Sequence, residues 1–183
     1  MPTTPPKRAD AERNRAKILE AARAAFGESD AEVSMAEISR RAGVGMATLY
    51  RNFPGRQELI EALYVDEVDA VCAAASTIEA DTPGDRLLAW LRRFYAFFHS
   101  KHPLSTELLR EIDGAGPFFS GNRDRVLAAA APLLAAAQAS GEIRADLTLE
   151  QVLELVLAVA RVRGEASYVE PILDAALDGL RVP

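Results

Sequence analysis

The sequence predicts an all-α protein: an N-terminal three-helix head carrying a helix-turn-helix, then a C-terminal helical bundle, with about nine helices in total. Three observations predict it. Ala and Leu dominate, with Glu and Arg between them, a composition that favours helix. No stretch alternates apolar and polar residues as a half-buried strand would. Helix-start signals recur along the chain, and Gly or Pro punctuates the gaps between them.

Taken in order, the first helix is expected over Ala9 to Phe26, where Ile18, Ala22, Ala25 and Phe26 form one apolar stripe. Ser34-Met35-Ala36-Glu37 reads as a capping box opening a short helix from Met35 to Ala42. Gly43 suits the left-handed residue that ends such a helix. A second short helix, Met46 to Asn52, stops before Phe53-Pro54. Long helices are expected from Arg56 to Glu79 and, with Pro83 at the first helical position, from Pro83 to Ser100. Further helices are expected over Leu104 to Asp113 and Phe118 to Ser140. Thr148-Leu149-Glu150-Gln151 is another capping box, opening Leu149 to Val162, and Pro171 suits the first turn of a last helix ending near Leu180. This divides the chain into a flexible arm (1–8), a helix-turn-helix domain (9–55) and a larger domain (56–183).

With 183 residues, 49% of them apolar and 26% charged, the chain can bury a sizeable core. No apolar run reaches the roughly 18 residues of a membrane span, so no membrane partner is expected. The Pro- and Thr-rich start lacks the apolar stretch of a secretory leader. Cys72 is the only cysteine, which excludes an internal disulfide or a cysteine-based zinc site. A cytoplasmic location and no cofactor are the expectations. The net charge of −6 is unevenly spread: residues 1–60 carry ten Lys/Arg against eight Asp/Glu, and residues 61–183 carry eleven against nineteen. A DNA-facing surface belongs in the first 60 residues.

Function concentrates in Ser34 to Arg56, SMAEISRRAGVGMATLYRNFPGR. Two short helices across a tight glycine-bearing turn make a helix-turn-helix. Ile38, Ala42, Val44 and Leu49 should brace the pair against the first helix. The second short helix is left to present Met46, Ala47, Tyr50, Arg51 and Asn52. Small residues allow close approach to the major groove, Arg and Asn suit base edges or phosphate, and the Tyr hydroxyl can donate to phosphate. Arg56, at a helix start, suits a phosphate clamp. Arg40 and Arg41 could be phosphate contacts or a solvated face.

GVGMATLYRNFPGRQELI, the preceding SMAEISRRAGV and the first-helix pattern ILEAARAAFGE resemble the signature of the TetR family of bacterial one-component regulators, over about residues 13–62. Gly141-Glu142-Ile143-Arg144-Ala145-Asp146 resembles the connection before the last two helices of many members. The resemblance implies a homodimer, each head reading one half of a near-palindromic duplex. It implies that Ser34, Gly45, Met46, Ala47, Tyr50, Arg51, Asn52 and Arg56 lie at the DNA. It further implies a ligand cavity in the body and, usually, repression relieved by ligand. Met46 stands where Lys is frequent, and Asn52 where His is frequent.

The body holds more aromatics than one face can bury. Trp90, Phe94, Tyr95, Phe97 and Phe98 are followed by Phe118 and Phe119; Leu87, Leu91, Phe94, Tyr95 and Phe98 share a face at helical spacing, with Tyr64, Tyr168, His99 and His102 as polar candidates. Core packing accounts for any one of them. Together they suggest a cavity for a small, largely apolar or aromatic effector. The rival expectation is a DNA binder without such a ligand, constitutive or controlled by a protein partner. His99-x-x-His102 has the spacing of a metal pair but no third ligand nearby, so no metal is expected; imidazolium there suits a helix C-terminus. Nothing frames a catalytic nucleophile, acid or base, so no enzyme is expected. The helix from Leu149 is apolar on several sides, which calls for cover from its own subunit or from a partner. The expectation is a two-fold four-helix bundle using Val152, Val156, Val159, Ile172, Leu173, Ala176, Leu177 and Leu180.

Overall fold

The computed structural model describes residues 6–28, 33–99 and 117–182. Among these residues the protein is all-α, with eight helices and one isolated antiparallel bridge, Ile143 to Arg181. The helices are α1 (Pro6–Glu28), α2 (Met35–Ala42), α3 (Met46–Asn52), α4 (Arg56–Thr77), α5 (Pro83–His99), α6 (Pro117–Ala139), α7 (Leu149–Ala160) and α8 (Ala166–Asp178). The helix expected over Leu104 to Asp113 lies outside the described residues, as do His102 and the side chains of His99 and Phe118. No described helix is long and apolar enough to cross a membrane. The described residues form two compact units that divide within α4, between Asp66 and Glu67.

In the first unit α1 packs on α2 and α3. The expected stripe of α1, Ile18, Ala22, Ala25 and Phe26, is buried throughout, as are Ile38, Leu49, Phe53, Leu59 and Leu63 of the same unit. The first helix takes in Lys7 and Arg8, which the sequence placed in a flexible arm. Pro6 explains the earlier start, since its fixed φ and missing N–H cost nothing at a first helical position.

In the second unit α5 packs on α6 and α7, and α7 packs on α8. Thr82 caps α5, its hydroxyl accepting from Asp85 N–H at 3.1 Å, with Pro83 following as expected. The box at Thr148 forms in full: Thr148 N–H donates to the Gln151 side chain at 2.8 Å, and Gln151 N–H donates to the Thr148 hydroxyl at 3.3 Å. The last helix departs from expectation, beginning at Ala166 and enclosing Pro171. That start aligns Val169, Leu173 and Leu177 at a spacing of four, all buried. Burying the stripe outweighs the one helical hydrogen bond that Pro171 cannot make. Beyond α8 the chain runs beside the 142–144 turn: Arg144 N–H donates to Leu180 O at 2.9 Å, and Val182 N–H donates to Glu142 O at 3.0 Å.

Candidate nucleic-acid interface

The interface is built on the α2–α3 pair. Ser34 is extended (φ −87°, ψ 153°), and its hydroxyl accepts the Glu37 N–H at 3.2 Å. The reciprocal half of the expected capping box is not made. Glu37 turns forward along α2 instead and pairs with Arg41 Nε at 2.6 Å and Arg40 Nε at 3.1 Å. These two guanidiniums, Arg41 first, hold the Glu37 carboxyl below its ordinary value. Two cations in reach outcompete one backbone N–H.

Gly43 ends α2 in the left-handed conformation (φ 65°), and its N–H returns to Arg40 O. The hydroxyl of buried Ser39 donates to Val44 O at 2.7 Å and fastens the turn, a role the sequence reading missed. Gly45 opens α3, its carbonyl accepting from Thr48 N–H at 2.8 Å and Leu49 N–H at 3.0 Å. Leu49 is fully buried; Val44, expected to point inward with it, is half-buried. Seven residues cannot sustain a helix alone. The buried Leu49, worth about 1.5–3 kcal/mol, and Phe53 hold α3 to the head.

This anchoring leaves Met46, Ala47, Tyr50 and Arg51 exposed on one face, with Ser34 and Gly45 also exposed. Met46 is 38% exposed and Tyr50 46%, high for large apolar bodies that the fold does not require outside. Arg51 lies along its own helix: Nε donates to Ala47 O at 3.2 Å and a terminal nitrogen to the Thr48 hydroxyl at 3.0 Å. Asn52 is half-buried, and its amide donates to Thr48 O at 2.8 Å, closing the last turn of α3. Arg56 is half-buried, its guanidinium 5.6 Å from the ring centre of Phe26, while Arg15 lies 4.5 Å from that of Phe53. Both cations therefore brace aromatic rings of the head.

Trp90, Phe94, Tyr95 and Phe98 are buried as core. Trp90 stacks on Phe94 at 5.6 Å, and Phe94 meets Phe98 edge-on at 5.0 Å. Tyr64 is buried in the first unit, and burial pushes its phenol up to about 12. Tyr168 does not join these aromatics; it is 63% exposed on α8. A separate cleft of about 320 Å³ has Ser76, Thr82, Arg86 and Leu133 among its walls, none of them among the residues expected at an effector site. Cys72 is half-buried.

Of the residues expected at a two-fold interface, Val152, Val156, Val159, Leu173, Leu177 and Leu180 are covered by their own chain. Ala176 is half-buried and Ile172 is 36% exposed. The large apolar residues exposed on α7 and α8 are Leu155, Tyr168 and Ile172. Leu155 was missed because hydrophobicity alone cannot say which side of an apolar helix its own subunit fills.

Comparison with known proteins agrees with this architecture. The family model described as bacterial regulatory proteins, tetR family, matches residues 18–63, and that of the SbtR-like transcriptional regulator C-terminal domain matches residues 82–182. A TetR transcriptional regulator of Streptomyces coelicolor shares 36% identity over 91% of this chain and 98% of its own, with a TM-score of 0.72. A TetR transcription regulatory protein of Mycobacterium vanbaalenii shares 35% identity over 97% and 100%, with a TM-score of 0.70. The ketosteroid transcriptional regulator of Mycobacterium tuberculosis has the same fold at 21% identity, covering 92% and 95%, with a TM-score of 0.59. No curated protein sequence matches the chain.

Proposed function

Given that the chain belongs to the TetR family of bacterial transcriptional regulators and binds DNA as such, we propose that it is a repressor released from a near-palindromic operator by a small, largely apolar effector. The observation that carries the DNA half of this reading is the outward face of α3. Met46, Ala47, Tyr50 and Arg51 stand exposed on a helix fixed from behind by Leu49. Such a face enters a major groove with one guanidinium and one phenol as donors. Ser34 and Gly45 flank it at helix starts, where backbone N–H groups favour phosphate. Arg56 and Asn52 support the face through Phe26 and Thr48 as well as meeting DNA.

Two copies pair through the outward sides of α7 and α8, where Leu155, Tyr168 and Ile172 are left uncovered. A two-fold pair reads two half-sites when its heads lie about 34–36 Å apart. Helix α4 carries residues of both units, so a ligand that changes its tilt changes that spacing. The ligand must bind the DNA-incompetent arrangement more tightly; a coupling of about 1–3 kcal/mol is ordinary.

The full burial of Trp90 and Leu91, with Trp90 stacked on Phe94, favours a second reading, in which the body serves dimerisation and no small molecule intervenes. Selection of bound duplexes from random DNA by the purified protein tests the first half of the proposal; recovery of no preferred sequence overturns it. A screen of apolar compounds for thermal shift and for release of the selected duplex tests the second. Stabilising compounds that release DNA support the repressor, and a screen without any supports the ligand-free reading.

A further inference from the structure

We infer that Thr48, which faces neither the core nor open solvent, is a positioning residue that sets the sequence preference of α3 by pre-orienting Arg51. The inference rests on the reading of α3 as the recognition helix. Thr48 is half-buried, one residue before the fully buried Leu49, whose packing holds the helical backbone from which the stiff, β-branched Thr48 side chain projects. That hydroxyl accepts a terminal nitrogen of Arg51 at 3.0 Å, and the neighbouring Ala47 carbonyl accepts Arg51 Nε at 3.2 Å.

A guanidinium has five donors in one rigid plane. Two contacts on one edge fix that plane against the helix and leave the remaining donors facing away from it. An arginine free to rotate must lose rotamer freedom when it meets a base edge, and Arg51 has already lost part of it. The Thr48 carbonyl also accepts the Asn52 amide at 2.8 Å. One residue thus holds both polar side chains at the end of α3, through separate atoms: the hydroxyl for Arg51, the main chain for Asn52. Only the hydroxyl contact is open to side-chain substitution.

The test uses the full chain and the duplex selected from random DNA. Thr48→Val keeps the shape and removes the acceptor; Thr48→Ser keeps the acceptor; Thr48→Ala is the second variant should Val crowd the head. Titrations cover the selected duplex, each single-base variant of it, and a scrambled duplex. Thr48→Val is expected to weaken the selected duplex by about two- to tenfold, the scale of ordering one long side chain, while leaving the scrambled duplex unchanged. The loss of discrimination should fall at the same base pairs that Arg51→Ala affects, and Thr48→Ser should restore it. In an Arg51→Ala background Thr48→Val should cost nothing further.

Equal loss in both backgrounds overturns the inference, because Thr48 then acts on its own. So does a Thr48→Val protein with unchanged preference. If the wild type itself shows no preferred duplex, or Arg51→Ala binds every duplex as the wild type does, the reading of α3 fails first and takes this inference with it.

Discussion

The indole N–H of Trp90, on α5, donates to the main-chain oxygen of Val71, on α4, at 2.9 Å. Trp90 is fully buried and is the only tryptophan of the chain. Trp90→Phe keeps most of the packing and removes this donor. The expected cost is about 1–3 kcal/mol, the penalty of a buried acceptor losing its partner. Urea unfolding followed by circular dichroism at fixed protein concentration measures it.

Gly43 and Gly45 lie two residues apart and should respond oppositely to substitution. A Cβ would meet nothing within 4 Å at either position. Gly43, however, has φ 65°, whereas Gly45 has φ −71°. Gly43→Ala should cost about 1–2 kcal/mol from backbone conformation alone, and Gly43→Asn less. Gly45→Ser should leave stability equal or raised, because it offers α3 the side-chain cap it lacks. Thermal melts of the three variants decide the matter.

Much of this was legible because its causes are local. The Thr148–Gln151 box, the Thr82–Pro83 start and the left-handed Gly43 depend on residues within one turn, and all stand as read. The box at Ser34 was half legible: the cap forms, but Glu37 has Arg40 and Arg41 on the same helix as stronger partners. Where the cause is distant, the reading missed. The start of α8 is set by burial of Val169, and the buried sides of α7 and α8 by helices far away in sequence. At the interface, the exposed face of α3 followed from its brevity and Leu49. The intrahelical grip of Thr48 on Arg51 was invisible, since the same sequence permits Arg51 to extend into solvent.

The outward residues of α7 and α8 separate pairing from folding. Leu155→Glu with Ile172→Glu should give a monomer on analytical ultracentrifugation, with helical content kept and DNA retention lost. Leu173→Ala, one residue from Ile172 but buried, should cost about 2–5 kcal/mol in stability. A doubly substituted protein that remains dimeric would place the two-fold contact elsewhere.

Stability should fall on the acid side. Glu142 is held below its ordinary value of 4.5 by hydrogen bonds from Thr82 and Ser140, and Asp85 below 3.8 by Arg181, 2.7 Å away, and by Thr82. Because the folded state prefers these carboxylates charged, their contribution is complete above those ordinary values and is lost as pH falls through the depressed ones. Melting temperatures should therefore be level from pH 7 to about 5 and decline below. Glu142→Gln should make that decline shallower. An unchanged slope in that variant would assign the acid sensitivity to other carboxylates.

The pairing of residues 180–182 with the 142–144 turn has a consequence for hydrogen exchange. Backbone outside any helix ordinarily trades its amide protons for deuterium within moments. Here the Val182 amide is committed to Glu142, and Arg181 reaches across to Asp85, 96 residues earlier. The amides of Arg144 and Val182 become slow-exchanging witnesses of whether the whole second unit is closed.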